Sequence, residues 1–485
     1  MCAVGKADMA ARGVSVVGVA SPDNPACIHG PTVVFERFLQ DGSTRKFYAC
    51  AACRDRKDCA FFLWADQRLS SAKRRLWADL SAAAWTKMTH TQRFHKLKAV
   101  RAAAAGERMY CQTCCVLLLR SERAAHSSCS LSSPLTDSHL SHPSTFLPPK
   151  ENVKVEAQYL FAQRSVEVLV GLAGRGGASG VLCVGAPRIH EAVTSTPSLG
   201  LASILMDIDD RFCSFFPPEC FLHYNMFNHH FLGGREARTT YTTFLARHQK
   251  LVLVSDPPFG GRMELLAHTL RTIEADWRTA ASLDPDTTLP VFLVFPYFLE
   301  PQVVASLPSL AMMDYQVDYD NHPIYSKGPK GMKHGSAVRV FTNQPLHTLP
   351  LPEEEGYRWC EPCQRWVHHA NAHCEICRAC TSKDGRTYKH CSECGRCVKP
   401  AWVHCGTCGG CRPPDHLCAP PLGCYTCGDM DHKHLNCPKR KRSASSSRKS
   451  KKRKKRDGKE SALPSSLAEE RHRDLDILAH LIDGK

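Results

Sequence analysis

The stretch Leu251-Val252-Leu253-Val254-Ser255-Asp256-Pro257-Pro258-Phe259 joins a continuous apolar run to a short proline turn. Its first four residues are apolar and partly β-branched without alternation, which is typical of a strand buried on both faces of a parallel sheet. The consecutive prolines leave no backbone donor and stiffen the loop that follows. Residues 251–259 therefore predict a buried parallel strand that ends in a rigid loop.

Similar apolar runs occur at residues 181–184, 203–206 and 291–295, and longer or helix-patterned stretches separate most of them. Alternation of short buried strands with helices is typical of a doubly wound α/β fold. Two later strand candidates, 313–317 and 337–341, are expected at the antiparallel edge of the same sheet. We therefore predict one α/β domain over residues 151–345.

Ligands of doubly wound sheets bind beyond the carboxyl ends of the strands. Gly185-Ala186-Pro187-Arg188 follows the first run, and Asp207-Ile208-Asp209-Asp210 follows the second. A glycine lets a cofactor approach the backbone, and an acidic residue binds ribose hydroxyls. Each residue type also simply terminates strands, but their order here indicates a cofactor site next to Asp256.

The Asp256-Pro257-Pro258-Phe259 loop has groups suited to an exocyclic adenine amine, which is a poor nucleophile and must be held close to its methyl donor. The Asp256 carboxylate and the Pro257 carbonyl can accept its two N–H bonds, and Phe259 can stack on the base. The alternative is an ordinary Asp-Pro-Pro turn. Its position after a buried strand favours a catalytic site.

Residues 181–343 resemble the Rossmann-like class of S-adenosylmethionine-dependent methyltransferases, and the loop matches their Asp/Asn-Pro-Pro-aromatic motif for adenine amines. The resemblance implies a catalytic motif of Asp256, Pro257, Pro258 and Phe259, although Gly185-Ala186-Pro187-Arg188 replaces the usual Gly-x-Gly. It also implies cofactor contacts, with Arg188 near the methionine carboxylate and Asp207 or Asp209 at the ribose. The cofactor candidates are Gln158, Tyr159, Leu160, Phe161, Gly185, Arg188, Asp207, Asp209, Asn225, Met226 and Asp256.

Fifteen of the 27 cysteines lie between Cys360 and Cys437, mostly in CxxC pairs with histidines nearby. This spacing delivers soft ligands to tetrahedral zinc, whereas a disulfide scaffold would need a secretory signal. Residues 1–24 contain no such signal and are expected to be a disordered lead-in, with a weak transit peptide as the alternative. The spacing of the cysteines and histidines therefore predicts zinc sites and not disulfides.

Two zinc sites are predicted before the α/β domain, in residues 25–68 and 69–130. The first resembles a GRF-type finger, whose aromatics either form its core or stack on single-stranded bases. The second lies in a segment that also contains helices, and residues 131–150 are expected to be a linker. The predicted ligands are Cys27, His29, Cys50 and Cys59, with Cys53 as a competitor, and then Cys111, Cys114, His126 and Cys129, with Cys115 as a bystander.

Residues 356–420 predict a zinc ladder, because three histidines each precede a cysteine by the same spacing and each such pair completes a CxxC. The interleaving resembles the cysteine-rich domain of DHHC palmitoyltransferases, but the Asp-His-His-Cys motif is absent. The sets are Cys360, Cys363, His373 and Cys380; Cys374, Cys377, His390 and Cys397; Cys391, Cys394, His404 and Cys411; and a fourth of Cys405, Cys408, His416 and Cys418.

Residues 421–438 match the CCHC zinc knuckle, with Tyr425 placed to stack on a single-stranded base. Its ligands are Cys424, Cys427, His432 and Cys437. The expected total is six or seven zinc ions, with two before the α/β domain, three or four in the ladder and one in the knuckle.

The formal charge of +16 is concentrated in residues 439–456, which hold twelve Lys and Arg and leave +4 elsewhere (16 minus 12). We expect residues 439–460 to be a disordered tail that addresses the chain to the nucleus or nucleolus and binds phosphate backbones, or a solubilising run. The cytoplasm is a second expected location. Residues 461–485 predict a short helix. The most apolar stretch, 291–299, is too short to span a membrane, and no membrane contact is expected.

The arrangement of flanking fingers is similar to the CCHC zinc-finger rRNA N6-adenosine methyltransferases of animals. The resemblance implies N6-methyladenosine formation in large-subunit rRNA, at a single-stranded or stem-loop adenine positioned by the fingers. Ribosome-biogenesis or RNA-processing proteins are expected partners. One alternative is a degenerate methyltransferase fold that acts only as a zinc-finger RNA-binding protein in ribosome biogenesis or translation; DNA is an alternative substrate. The intact loop at Asp256 favours an enzyme, and the knuckle and tail favour RNA.

Overall fold

The structure is a computed structural model that describes residues 14–39, 43–53, 58–84, 88–150, 158–321 and 336–418. The knuckle, the basic tail and the expected C-terminal helix lie outside these residues. Residues 16–34 with 47–400 form one unit, and residues 14–15 with 35–46 and 401–418 form the other. No helix in the described part of the chain has the length and apolar character needed to cross a membrane.

Among the described residues, short strands and three α-helices precede the α/β domain. A capping box starts α2, because the Thr89 hydroxyl accepts from Gln92 N–H and the Gln92 side chain accepts from Thr89 N–H. In the first finger, β5 pairs with β6, and Phe47 lies opposite Trp64. The elements are β1 Val14–Gly18, β2 Ala26–Cys27, β3 Gly30–Pro31, β4 Val33–Phe38, β5 Thr44–Ala49, β6 Phe62–Trp64, α1 Ser71–Ala84, α2 His90–Ala102, β7 Arg108–Cys111, β8 Val116–Leu119, β9 Leu131–Ser132 and α3 Asp137–Ser141.

The α/β domain is built on an eight-stranded sheet in the order β13-β12-β11-β10-β14-β15-β17-β16. The five central strands, β12, β11, β10, β14 and β15, are parallel to one another. At one edge β13 is antiparallel to β12, and at the other β17 is antiparallel to both β15 and β16. The elements are α4 Gln163–Ala173, β10 Gly180–Val184, α5 Pro187–Ser195, β11 Ala202–Asp207, β12 Phe221–Asn225, β13 His230–Phe231, α6 Gly234–Arg247, β14 Leu251–Ser255, α7 Met263–Ala280, β15 Val291–Pro296, α8 Glu300–Ser306, β16 Ala311–Gln316 and β17 Val338–Thr342.

This sheet confirms the predicted α/β class and the six predicted strands. The sequence did not predict β12, although its residues are all buried. His223 and Tyr224 interrupt its apolar run, so the strand lacks the continuous pattern of β14. Because the chain runs from β10 to one side and places β14 on the other, the order reverses at these two strands. Their carboxyl ends form the expected ligand crevice.

The segment expected to be a linker, 131–150, is folded against the α/β domain. Leu135, Leu140 and Leu147 are buried in the same core as Leu169 of α4. The buried Ser144 donates from its backbone and its hydroxyl to the carboxyl of Glu191 on α5, at 2.9 and 2.5 Å. The segment was expected to be a linker from its polar composition, but its leucines are part of the hydrophobic core.

In residues 336–418, four antiparallel hairpins follow the α/β domain, and each pairs two consecutive strands. The first packs on the sheet edge, because Asp314 of β16 accepts from His368 N–H at 2.9 Å and from the Asn371 side chain at 2.8 Å. The strands are β18 Tyr357–Cys360, β19 Arg365–His368, β20 His373–Cys374, β21 Ala379–Cys380, β22 Lys389–Cys391, β23 Arg396–Val398, β24 Val403–Cys405 and β25 Gly410–Arg412.

Candidate active site and zinc centres

Two backbone hydrogen bonds tie the end of β10 to its two neighbouring strands, β14 and β11. The N–H of Asp256 donates to the Val184 carbonyl at 3.1 Å, and the N–H of Gly185 donates to the Met206 carbonyl at 2.9 Å. Gly185 has φ +67°, and a Cβ there would lie 2.7 Å from Met226 Cε and 3.0 Å from the Asp256 carbonyl oxygen. Only glycine fits this close approach. The predicted cofactor loop therefore lies directly against the predicted catalytic loop.

Helix α5 begins immediately after this loop. Pro187 is at its first turn, where a missing N–H leaves no hydrogen bond unmade, and Ala186 is fully buried. The altered glycine motif therefore forms a tight turn from strand to helix.

The Asp256 loop is closed by a turn in which Gly261 N–H donates to the Pro258 carbonyl at 2.7 Å. A Cβ on Gly261 would lie 2.7 Å from Phe227 Cε1, so the turn packs tightly against the residues after β12. Pro257 is buried, whereas Asp256, Pro258 and Phe259 are half-buried. The loop thus presents a carboxylate and an aromatic ring from a rigid backbone.

The segment Gln158-Tyr159-Leu160-Phe161 lies opposite residues 318–321. Phe161 and Tyr319 form an antiparallel β-bridge. The Asn321 side chain accepts from Leu160 N–H and donates to the Gln158 carbonyl, both at 2.8 Å. The Tyr159 ring stacks on Phe259 with centroids 5.6 Å apart. This predicted cofactor segment therefore also forms one wall of the Asp256 site.

Tyr319 contacts the predicted catalytic carboxylate directly. Its hydroxyl donates to Asp256 Oδ1 at 2.9 Å. Burial raises the pKa of Asp256 well above its usual range, the hydrogen bond from Tyr319 acts in the opposite direction, and the charge of Asp207 raises it further. A desolvated carboxyl with a perturbed pKa and a specific partner is typical of a functional site.

The two carboxylates after β11 have different surroundings. Asp207 is buried and accepts from Asp209 N–H at 2.8 Å. Burial, together with the nearby Asp209 charge, raises the pKa of Asp207 to about 6. Burial would also raise the pKa of Asp209, but Arg211, at 2.6 Å, and Lys150, at 3.2 Å, lower it. Since two cations already bind Asp209, Asp207 is the better acceptor for ribose hydroxyls.

Arg188 and Asn225 are both engaged with protein groups. Arg188 donates to the Phe161 carbonyl and to the Asp320 carboxylate, so it lies at the site and ties residues 158–161 to 318–321. Asn225 donates to the backbone carbonyl of His29 at 2.9 Å. The contact of Arg188 with a methionine carboxylate and that of Asn225 with the cofactor stay predictions.

Sequence reasoning missed Tyr319, Asn321 and Asn228. Leu160 and Asn321 are 161 positions apart in the chain, and neither segment has a periodic pattern that would link them. Asn228 donates to the carbonyls of His29 and Pro31 at 3.0 and 2.9 Å. The only signal was the polar run 318–321 that follows β16.

Among the described residues, six groups of three or more potential metal ligands have their ligand atoms within 4.8 Å of one another, and five of these groups each consist of four Cys and His residues. The two before the α/β domain contain the predicted ligands. Cys53 is outside the first group, with its Sγ 3.7 Å from His29 Nε2, and Cys115 is outside the second. These groups are Cys27, His29, Cys50 and Cys59, and Cys111, Cys114, His126 and Cys129.

The structure brings the predicted ladder residues together in groups, and the hairpins explain the spacing between them. His373 lies opposite Cys380, His390 opposite Cys397, and His404 opposite Cys411, so each pair is a cross-strand pair. The CxxC at the tip of each hairpin belongs to the next group along the chain. The groups are Cys360, Cys363, His373 and Cys380; Cys374, Cys377, His390 and Cys397; and Cys391, Cys394, His404 and Cys411.

Cys405, Cys408, His416 and Cys418 form the last group. His416 Nε2 lies 3.0 Å from Cys418 Sγ and 3.6 Å from Cys408 Sγ, and Cys405 Sγ lies 3.3 Å from Cys418 Sγ. The predicted knuckle ligands Cys424, Cys427, His432 and Cys437 lie outside the described residues.

These groups fit zinc by donor type and by local hydrogen bonding. Cys53 N–H donates to Cys50 Sγ at 3.3 Å, and Cys114 N–H donates to Cys111 Sγ at 3.2 Å, which stabilises thiolates. His126 Nδ1 is buried and has no hydrogen-bond partner among the described residues, as expected for a metal ligand. Four protein ligands complete a tetrahedral shell, so the zinc is structural.

The strand order and the Asp256 loop define a Rossmann-like S-adenosylmethionine-dependent methyltransferase. Residues 152–326 match the family model described as "Probable N6-adenine methyltransferase", and residues 25–68 match the GRF zinc finger model, as predicted. The chain is 46% identical over 441 residues to the human rRNA N(6)-adenosine-methyltransferase ZCCHC4, covering 88% of this chain and 86% of that one. The mouse protein of that name is 46% identical over 442 residues, with the same coverage, and the Xenopus tropicalis protein is 42% identical over 432 residues, covering 87% and 88%. The chain belongs to this ZCCHC4 family.

Proposed function

We propose that this chain transfers the methyl group of S-adenosylmethionine to N6 of adenosine in rRNA. The names of its relatives and the matching family model support this proposal. The observation that carries it is Asp256, which lies at the end of β14 against the Gly185 loop with one carboxylate oxygen held by Tyr319. This is the position at which a methyltransferase of this fold needs an acceptor for the amine.

Gly185, Asp207 and Met226 are the residues that would hold S-adenosylmethionine. Gly185 leaves no side chain between the cofactor loop and Asp256, and Met226 packs against it. Asp207, at the end of the neighbouring strand, can accept from ribose hydroxyls. Bound S-adenosylmethionine supplies an electrophilic methyl group on a sulfonium.

The chain's own part in the reaction is to orient the adenine amine and to accept its hydrogens. The Asp256 carboxylate and the Pro257 carbonyl each accept one N–H, which directs the nitrogen lone pair toward the methyl donor. Phe259, backed by Tyr159, stacks on the base. Asp256 is also the group placed to take the proton that the methylated nitrogen releases.

The zinc modules have a separate role in binding the substrate RNA. In the first finger, Phe61 is 2% exposed and belongs to the core, whereas Phe62 and Trp64 are half-buried. Phe47, Phe62 and Trp64 pack together, with centroids 4.9 to 5.8 Å apart, and form the surface on which bases would stack. We expect Cys424→Ser in the knuckle to weaken RNA binding without changing cofactor affinity.

The deciding assay measures transfer of labelled methyl from S-adenosylmethionine to large-subunit rRNA fragments by wild type and Asp256→Ala. We expect Asp256→Ala to lower incorporation by at least about a hundredfold, because it removes a group that acts in the transition state. Equal incorporation by both proteins contradicts the proposal and favours the degenerate RNA-binding alternative. DNA fragments of the same sequence test the substrate class, and we expect incorporation into RNA only.

The metal content, location and partners extend this proposal. With the six described groups and the knuckle, we expect seven zinc ions in native mass spectrometry. The basic residues 439–456 support a nuclear or nucleolar location, with the cytoplasm as the alternative, and ribosome-biogenesis or RNA-processing proteins as partners. Fluorescently tagged protein with and without residues 439–456 tests whether these residues direct the chain to the nucleus or nucleolus. Unchanged localisation of the shortened protein contradicts this role.

A further inference from the structure

The phenol of Tyr319 is fixed in place beside Asp256 by backbone and ring contacts. Its side chain is 3% exposed, and its backbone forms the bridge with Phe161. Its ring lies 5.3 Å from the Phe161 ring and 5.8 Å from the Tyr159 ring. The hydroxyl has therefore little freedom to leave the 2.9 Å hydrogen bond to Asp256 Oδ1.

We infer that Tyr319 is a positioning residue for the methyl-transfer reaction. Its hydroxyl holds Asp256 Oδ1, so that the other carboxylate oxygen faces the adenine amine. This inference rests on the proposed function. A hydrogen bond to one oxygen sets the rotation of the whole carboxylate about its Cβ–Cγ bond. Because Tyr319 donates, it also favours the ionised carboxylate, which is the form that accepts the amine hydrogen.

The charges around Asp256 show why such a donor matters. Burial and the charge of Asp207 both raise the pKa of Asp256, and the Tyr319 hydrogen bond is the contact that lowers it. Burial, the charge of Asp256 and the nearby Tyr159 raise the pKa of Tyr319, so its phenol keeps its proton and remains a donor. Without this hydroxyl, the pKa of Asp256 would rise further, so a smaller share of the enzyme would carry the ionised carboxylate at a given pH.

Tyr319→Phe separates this role from simple packing, because it removes the hydroxyl and keeps the ring. The readouts are the pH profile of kcat/KM for methylation of an rRNA fragment and S-adenosylmethionine affinity by calorimetry. We expect the acidic limb of the profile to move up by about one pH unit, since the lost bond favours the ionised form by about tenfold. Cofactor affinity should stay within about twofold, because Tyr319 contacts Asp256 and not the carboxylates after β11.

Tyr110→Phe is the matched control. Tyr110 is another fully buried phenol of the same core, and its hydroxyl has no hydrogen-bond partner among the described residues. Its removal should leave the acidic limb unchanged. A Tyr319→Phe enzyme whose acidic limb does not move, whatever its rate, overturns the inference.

If Tyr319→Phe does not fold, replacement of Tyr319 by 3-fluorotyrosine provides a second test, because this residue keeps the ring and is a stronger hydrogen-bond donor. The acidic limb should then move to lower pH, and an unmoved limb again overturns the inference. Failure of the proposed function has a different signature, because wild type itself would then incorporate no methyl group. An active wild type with unshifted profiles in both variants rejects only the role of Tyr319.

Discussion

The side-chain amide of Asn225 donates a 2.9 Å hydrogen bond to the backbone carbonyl of His29. His29 belongs to the first group of Cys and His residues, and Asn225 ends β12, one residue before Met226, which packs against Gly185. Asn228 donates to the same carbonyl at 3.0 Å. With the bond from Asn228 to the Pro31 carbonyl, three side-chain hydrogen bonds therefore join the first finger to the segment next to the predicted cofactor loop.

Loss of zinc from the first finger should weaken cofactor binding. Cys27→Ser removes one ligand, and the His29 backbone would then no longer be held at the amides of Asn225 and Asn228. We expect the Kd for S-adenosylmethionine to rise by about tenfold, the effect of losing about one net hydrogen bond. Calorimetry with a parallel zinc count by native mass spectrometry measures this coupling.

Cys115→Ser is the control for this experiment, because Cys115 lies outside the zinc groups. It should retain the full zinc count and normal affinity. A Cys27→Ser protein that lacks one ion yet binds S-adenosylmethionine like wild type would show that the finger and the cofactor loop are uncoupled.

Gly185→Ala should damage both stability and cofactor binding. The added Cβ would meet Met226 Cε at 2.7 Å and the Asp256 carbonyl oxygen at 3.0 Å, at a φ of +67° that L-residues rarely adopt. We expect a loss of about 3 kcal/mol in the free energy of unfolding, measured in urea, from backbone strain plus steric overlap.

Gly200→Ala isolates the backbone part of that effect. Gly200 has φ +62°, but nothing lies within 4 Å of its added Cβ. It should cost only about 1 kcal/mol and leave S-adenosylmethionine affinity unchanged. Equal losses in the two variants would mean that the close approach at Gly185 contributes nothing.

Cofactor affinity should depend on the ionisation of Asp207. Burial and the charge of Asp209 raise the pKa of Asp207 to about 6, and only the ionised carboxylate accepts from both ribose hydroxyls. Affinity for S-adenosylmethionine should therefore fall as the pH falls through about 6. Calorimetry from pH 5 to pH 8 measures this; Asp207→Asn should bind more weakly and without that dependence. A wild-type affinity that stays constant over the range argues against Asp207 as the ribose ligand.

The buried contact between Glu191 and residues 143–145 should make stability depend on pH. Burial raises the pKa of Glu191 to about 7, with hydrogen bonds from Ser144 opposing the shift. A raised folded-state pKa gives stability at low pH that is lost as the pH rises through about 7. Glu191→Gln cannot titrate, so its stability relative to wild type should improve by about 2–3 kcal/mol between pH 5 and pH 8.

Urea denaturation of both proteins at the two pH values provides the comparison. Glu236→Gln, at an exposed position on α6, is the control and should show no such pH-dependent difference. If Glu191→Gln also follows wild type at both pH values, the carboxyl is solvated in solution.

Local patterns predicted the parts of this molecule in which neighbours in sequence are neighbours in space. The continuous apolar run of β14 identified a buried strand, and the proline turn after it identified the loop that lies against Gly185. The regular His-to-Cys spacing corresponds to residues that face each other across one hairpin, as His373 and Cys380 do. By contrast, β12 was missed, since His223 and Tyr224 break the apolar pattern although both are buried.

The sequence by itself determined the α/β class, the Asp256 loop and the ligand sets of the zinc groups, because each depends on short-range periodicity or spacing. Only the tertiary structure decided that Tyr319 contacts Asp256, that Asp209 is neutralised by Arg211 and Lys150, and that Asn225 binds the first finger. Tyr319, Lys150 and the first finger are brought to their partners by chain folding over long sequence distances. Such contacts depend on how distant surfaces pack, and no local pattern of residues encodes them.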